Sequence, residues 1–271
     1  ISQLNITKGK ARTHVNLSYN NNTHEIETSV VTNSEKIQNG TAGNGAATCP
    51  VCGYTTPKPS VKRQANDNGF GYKLFAVAEV GGNRSGKTYR DPSQVDIDGV
   101  LKAEAEYDKG LKQGKCFELT EPFPVHDTRA FTPGLYGIRT WNDAFTKRQL
   151  LAFNIMVDTV KECKKELLQS ENKETAEFIA LLLALSVSNT IHYNTNLSTY
   201  LAEHMISIFI QGQSIAMRWD FAEANPLVPQ YVGGIDYALS QTKDALVSMS
   251  SRTYRKGTVT NANAAELPLP D

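Results

Sequence analysis

Over the first thirty residues apolar side chains fall at every second position. Leu4 and Ile6, then Val15, Leu17 and Tyr19, alternate with polar neighbours, which is the period of a strand with one buried face. Gly9 and the Asn20-Asn21-Asn22 run punctuate the pattern as turns, and Ile26 to Val31 predicts a third strand. Residues 32–48 are rich in Asn, Gly, Thr and Ala and predict a loop. Lys73 to Val80 predicts another strand. From Pro92 the period becomes helical: Val95, Val100, Leu101, Ala105 and Leu111 predict the apolar face of a helix over 92–113. Residues 114–145 are broken by Pro122, Pro124, Pro133, Gly134 and Gly137. Phe117, Phe123, Phe131, Tyr136 and Trp141 are expected to pack that irregular segment onto the core.

Thr146-Lys147-Arg148-Gln149 has the form of a capping box. It predicts the start of a helix running to about Gln169, with Leu150, Phe153, Val157, Val160 and Leu167 at helical spacing. A second helix, from about Glu174 to Thr190, is apolar nearly all round and is therefore expected to be buried. His192 to Asn196 reads as a loop, and a further helical segment is expected to lead into 214–227. Asn225-Pro226 would stop it, because the residue before proline is pushed out of the α region. Gly233 to Ser251 predicts an amphipathic helix, and an extended tail follows. The expected fold class is α+β. A small β-rich zinc-knuckle part (1–90) precedes a mainly helical part (91–256), with a tail at 257–271.

Composition narrows the function classes. The 271 residues carry 28 basic and 28 acidic side chains. A net charge of zero supplies no global field to steer nucleic acid, so any DNA contact needs a local patch. Four cysteines, two of them as Cys-x-x-Cys, suit a reducing compartment and a metal or redox role rather than a disulfide framework. The N-terminus has no signal-peptide pattern. The longest apolar run, 178–187, is about half of a bilayer span. These features predict a soluble cytoplasmic protein with no membrane partner. The first residue is not Met and the last five are Leu-Pro-Leu-Pro-Asp, so the chain is expected to be a piece of a longer protein.

Four stretches carry candidate chemistry. Cys49-Pro50-Val51-Cys52-Gly53 would make a tight turn aiming two thiolates at one point, half of a tetrahedral zinc ribbon. The alternative is a pair of reduced thiols. His14 and His24 precede the pair without tight spacing, and Cys116 and Cys163 are isolated. Lys58, Lys62 and Arg63 follow the knuckle and could touch phosphates, or simply be solvated. Gly81 to Thr88 matches G-x-x-x-x-G-K-[ST], yet a phosphate-binding loop must open a helix. Pro92 would fall in that helix's second turn, so a hairpin is the expected structure. Finally, Ser214 to Leu227 gathers Arg218, Trp219, Asp220, Glu223 and Asn225, either as the wall of a polar site or as a helix end.

Several blocks occur together in one order: Cys-Pro-Val-Cys-Gly-Tyr-Thr-Thr (49–56), Lys-Thr-Tyr-Arg-Asp-Pro (87–92), the 136–152 block from Tyr-Gly-Ile-Arg-Thr-Trp-Asn-Asp onward, Trp-Asp-Phe-Ala-Glu-Ala-Asn-Pro (219–226), and Leu-Pro-Leu-Pro-Asp (267–271). Over roughly 48–271 this resembles the central part of adenine-specific DNA methylases that carry a zinc-ribbon insertion and accompany phage-defence systems. The resemblance implies a glycine-rich S-adenosylmethionine motif and a further cysteine pair upstream. It also implies an Asp-Pro-Pro-Tyr catalytic motif shortly after a Leu-Pro-Asp like that at 269–271. Neither motif is among these residues. The chain is thus expected to be the DNA-positioning or target-recognition region, inactive alone and with no catalytic residue assignable. Cys49 and Cys52 would be metal ligands and Lys58, Lys62 and Arg63 DNA contacts. Arg218, Trp219, Asp220, Glu223 and Asn225 would stand at the active-site mouth. The competing expectation is a non-catalytic module that docks protein or nucleic-acid partners of a defence complex.

Overall fold

The computed structural model describes residues 3–7, 10–32, 40–80, 87–125, 129–201, 206–207, 210–211, 213–229 and 231–250. The fold is α+β: small antiparallel sheets dominate the first part and helices the second. The expected tail at 257–271, with its Leu-Pro-Leu-Pro-Asp, lies outside the described residues.

The alternating pattern forms a three-stranded sheet in the order β1 (Gln3–Thr7), β2 (Lys10–Asn20), β3 (Glu25–Thr32). Asn20 shapes the β2–β3 turn, because its Oδ1 accepts from the backbone N–H of Asn22 (2.9 Å) and Thr23 (3.3 Å). The middle of β2 is covered on both faces: Thr13, His14 and Val15 are all buried. Two later groups hold β3: Lys73 Nζ donates to Ile26 O (2.5 Å), and Asp91 Oδ1 accepts from Val30 N (2.6 Å).

The expected loop at 32–48 is partly a small sheet. Its residues 33–39 lie outside the described set, but β4 (Ala42–Gly43), β5 (Ala46–Thr48) and β6 (Thr55–Thr56) pair in that order, with the cysteine knuckle between β5 and β6. A helix absent from the sequence reading follows, α1 (Lys58–Asn68). Pro59 in its first turn is the missed signal, since proline is tolerated there and nowhere deeper.

The phosphate-loop letters fall on a hairpin. β7 (Val77–Val80) pairs antiparallel with β8 (Lys87–Arg90), Val80 opposite Lys87. Lys87 and Thr88 therefore lie in a strand and not at a helix N-terminus; residues 81–86 lie outside the described set. β7 is shorter than the strand expected from Lys73.

Three of the remaining helices build the core against an irregular segment. α2 (Gln94–Lys112) starts on a Ser93/Asp96 capping box, with Arg90 also bound to Asp96. Its inward face is only partly the one expected: Leu111 packs on the core and Val100 is half-buried, beside buried Tyr107 and Gly110, whereas Val95 is 79% exposed and Leu101 57%. α3 (Lys147–Ser170) opens on the predicted Thr146/Gln149 box and packs between α2 and α4 (Lys173–Ile191). Tyr107, Phe123, Phe145, Leu150, Phe153 and Leu197 form the core. Fully burying a Leu or Phe side chain contributes about 1.5–3 kcal/mol. Of the five expected anchors, Phe123 and Tyr136 are buried and Trp141 packs at 4.9 Å from Phe123, but Phe117 stays exposed.

α4 corrects a second expectation. It packs on α3 and on α5 (Ile235–Ser250), yet Phe178, Leu181 and Leu185 form an exposed apolar stripe. Ser186 and Thr190 lie on the buried side, where Ser186 Oγ is 2.8 Å from Thr242 Oγ1 of α5. By length and composition α4 also suits a bilayer span, a property shared by core helices of soluble bundles.

No helix leads into 214–227 among the described residues. β9 (Thr199–Tyr200) pairs with β10 (Ile206–Ser207), and β11 (Ile210–Gln211) with β12 (Ser214–Ile215). Ile206 and Ile210 in β10 and β11 favour a pleated over a helical backbone because β-branched side chains lose χ1 freedom in helices. Asn225-Pro226 likewise ends no helix. It forms a turn in which Asn225 Oδ1 accepts from Leu227 N (3.0 Å) and Asn225 O from Val228 N (3.1 Å).

Candidate functional site

Residues 216–225 run without regular structure, so Trp219 and Phe221, two apart, can both turn to the body of the protein. Trp219 meets Phe70 edge-on (centroids 5.7 Å apart) and Tyr136 edge-on (5.2 Å). Phe221 meets Tyr72 edge-on at 5.6 Å. A cleft of about 60 Å³ opens among Phe70, Tyr72, Trp219, Phe221 and Asn196. Tyr72 leaves 53% of its surface in solvent but plants its hydroxyl inside, where Asn196 Nδ2 donates to it (2.9 Å). Burial of that hydroxyl raises the phenol's pKa above the ordinary value, against the opposing bond from Asn196.

The other side of the stretch is anchored by polar groups. Arg148 Nε donates to Glu223 Oε1 (2.5 Å), and Thr146 Oγ1 donates to Glu223 Oε2 (3.4 Å). Asn194, almost fully buried, accepts from Ala224 N (3.0 Å) and donates through Nδ2 to Gly233 O (2.8 Å) and Thr190 O (3.1 Å). Asn196 Nδ2 also donates to Asp143 O (2.9 Å). The 219–226 block is thus bonded to the 136–152 block and to the loop after α4. That loop is not a surface connection: Asn194 through Ser198 are all buried.

The five residues expected at a site mouth separate into two groups. Trp219 is 46% exposed and Asp220 is exposed, with Arg218 half-buried beside them. The Glu223 carboxylate is only 15% exposed and tied to α3, and Asn225 shapes its own turn. These two hold the stretch in place. The residues missed by sequence reasoning are Phe70, Tyr72, Asn194 and Asn196. Phe70-Gly71-Tyr72, paired aromatics around a glycine just after a helix, was the available signal.

One of the three basic candidates reaches the same wall. Lys58 and Arg63 are exposed on α1, and Lys62 Nζ lies 5.8 Å over the Tyr136 ring that also supports Trp219. Asn66 fastens α1 there by donating to Leu135 O (2.9 Å) and accepting from Arg139. Gly137 permits the approach. Its φ is +91°, and a Cβ would stand 2.8 Å from Ala65 O of α1. Lys87 goes elsewhere: it lies 5.3 Å over the Tyr200 ring, and burial lowers its pKa.

The knuckle has the geometry of a thiolate turn. Gly53 N donates to Cys49 O (3.0 Å), Cys49 N to Tyr54 O (2.8 Å), and Gly53 takes φ +72°. Backbone N–H groups of Cys52, then of Val51, point at the Cys49 sulfur and lower its pKa below the ordinary thiol value. Two such sulfurs fit half of a zinc site. Among the described residues no third His, Cys, Asp or Glu completes it, and His24 instead faces Tyr19 Oη across the β2–β3 turn (3.0 Å). A lowered pKa means more thiolate at a given pH. Alkylation of Cys49 by iodoacetamide, followed by peptide mass spectrometry, should therefore begin at lower pH than that of Cys116, whose pKa burial raises. Coincident profiles would contradict the N–H···S turn.

No protein-family model matches this chain, and no curated protein and no solved structure matches it either.

Proposed function

We propose that the chain is the DNA-positioning or target-recognition region of an S-adenosylmethionine-dependent, adenine-specific DNA methyltransferase of the cytoplasm, and that it is inactive by itself. One observation carries this reading: the seam at Tyr136, where half-buried Lys62 of α1 lies over the ring and partly exposed Trp219 of the 219–226 block meets it edge-on. Cations neutralise phosphates and release counterions, while exposed rings stack bases. Neutral net charge is no obstacle, because the patch is local. Cys49 and Cys52 would hold zinc with two further ligands from outside the described residues, locking the turn that precedes α1. Cofactor binding and methyl transfer belong to motifs that the resemblance places outside this stretch.

Fluorescence anisotropy of labelled DNA against salt tests the reading. Lys58→Gln, Lys62→Gln and Arg63→Gln together should reduce the slope of log K on log salt by roughly 2–3 and weaken low-salt binding on the order of 100-fold. An unchanged slope rejects α1 as the phosphate contact.

The second reading, a module docking protein partners of a defence complex, draws on the exposed Phe178–Leu181–Leu185 stripe of α4. Salt-independent binding to a protein, with no DNA binding at low salt, would select it.

A further inference from the structure

The cysteine knuckle stands bare at the end of a short hairpin. Pro50 through Tyr54 are all exposed, Val51 by 47% and Tyr54 by 67%, and Cys49 is half-buried. The base below is fixed. Ala47 and Thr48 of β5 pair with Thr56 and Thr55 of β6, and Thr48 Oγ1 lies 3.0 Å from Thr55 Oγ1. The bond from Cys49 N to Tyr54 O closes the turn above them. Residues 41–57 carry no charged side chain. Two such tips can therefore meet head-on without bringing like charged side chains together, a juxtaposition that costs several kcal/mol where it occurs.

A structural zinc takes four ligands in a tetrahedron, and one knuckle supplies two. The other two of the chain's four cysteines are elsewhere. Cys116 lines a cavity of about 260 Å³ between α2 and α3, and Cys163 belongs to α3. We infer that the second pair of thiolates is Cys49 and Cys52 of another copy of this chain, so that one zinc on a twofold axis joins two chains knuckle to knuckle. The inference rests on the zinc assignment above and names the source of the remaining ligands. The contact is isologous: each copy presents the same two sulfurs. Val51 and Tyr54, exposed in the single chain, then pack against the partner copy. Residues 49–54 alone are far fewer than the roughly 20–30 residues a side of a stable interface. The dimer should accordingly depend on the metal.

Gel filtration with light scattering and metal analysis, on the whole 271-residue chain under a phosphine reductant, tests this. Zinc should convert monomer to dimer, saturating at half a zinc per chain. EDTA should return the monomer with unchanged far-ultraviolet circular dichroism. Cys52→Ser should stay monomeric in zinc. Tyr54→Lys, which keeps both thiols, should weaken zinc-dependent dimerisation about 10-fold or more by setting two cations face to face. Near-ultraviolet circular dichroism would establish that both variants are folded. One zinc per chain on a monomer overturns the inference, because the ligands then lie within one chain, and leaves the zinc assignment standing. A dimer that persists in EDTA, or that forms with Cys52→Ser, also overturns it. No zinc bound by the chain at micromolar metal overturns both and leaves the DNA contact of α1 to its own test.

Discussion

Asn194→Ala should lower the free energy of unfolding by about 3–5 kcal/mol. The amide makes three hydrogen bonds, to Ala224 N, Gly233 O and Thr190 O, and it is 3% exposed. Removing it strands the Ala224 N–H and the Gly233 carbonyl, whereas the Thr190 carbonyl keeps its bond from Tyr193 N (3.2 Å). Each unsatisfied buried group costs about 1–3 kcal/mol. Water entering the vacated space would recover part of that. Urea denaturation at constant m-value measures the change. A loss under about 1 kcal/mol would mean that the segments hold together without this side chain. Because Ala224 adjoins Glu223, the variant should also loosen the Trp219 wall, visible as a shift in tryptophan emission.

His14→Leu should act in the opposite direction, raising stability by about 1–3 kcal/mol. His14 is fully buried in β2, and neither ring nitrogen has a hydrogen-bond partner among the described residues. An imidazole in that position gives up its bonds to water and regains none. Leucine is close to histidine in volume and carries no polar atom, so the transfer term should exceed the small cost of the change in shape. Denaturant midpoints of the two proteins decide this. A destabilised His14→Leu would show that the imidazole is held by a group outside the described residues and is there for that bond.

The start of α3 was legible because it depends on neighbours in sequence; α1, whose start also carries a local signal, was missed. The Thr146/Gln149 box was read directly, because a side-chain oxygen reaching a backbone N–H three residues on is a local event. The hairpin at 77–90 was legible for the same reason: Pro92 made a helix after Lys87 costly. The inward face of α2 was read in part: Val100 and Leu111 do face inward with Tyr107 and Gly110, but apolar Val95 and Leu101 stay exposed. Hydrophobic spacing defines candidate faces; the partner selects one. α4 shows the same limit, since apolar composition all round did not mean burial all round.

The candidate site was half legible. The 219–226 block and the basic residues of 58–63 were singled out separately, and nothing local said that they adjoin. Their meeting depends on Tyr136, on Gly137 admitting the backbone of α1, and on Asn66 pinning it. Tyr72 and Asn196 lie 124 positions apart yet share a hydrogen bond at the cleft.

By itself the sequence determined the α+β class, the N-terminal strand pattern, the capped start of α3 and the turn that brings the two cysteines together, because periodicity, caps and turn chemistry act over a few residues. Only the tertiary structure decided which helix faces are inside, that the loop after α4 is buried, and that Trp219 through Asn225 is an irregular ledge and not a helix end. Those outcomes depend on which distant surfaces compete for each apolar side and where each backbone polar group finds its partner, and neither quantity exists until the chain has folded.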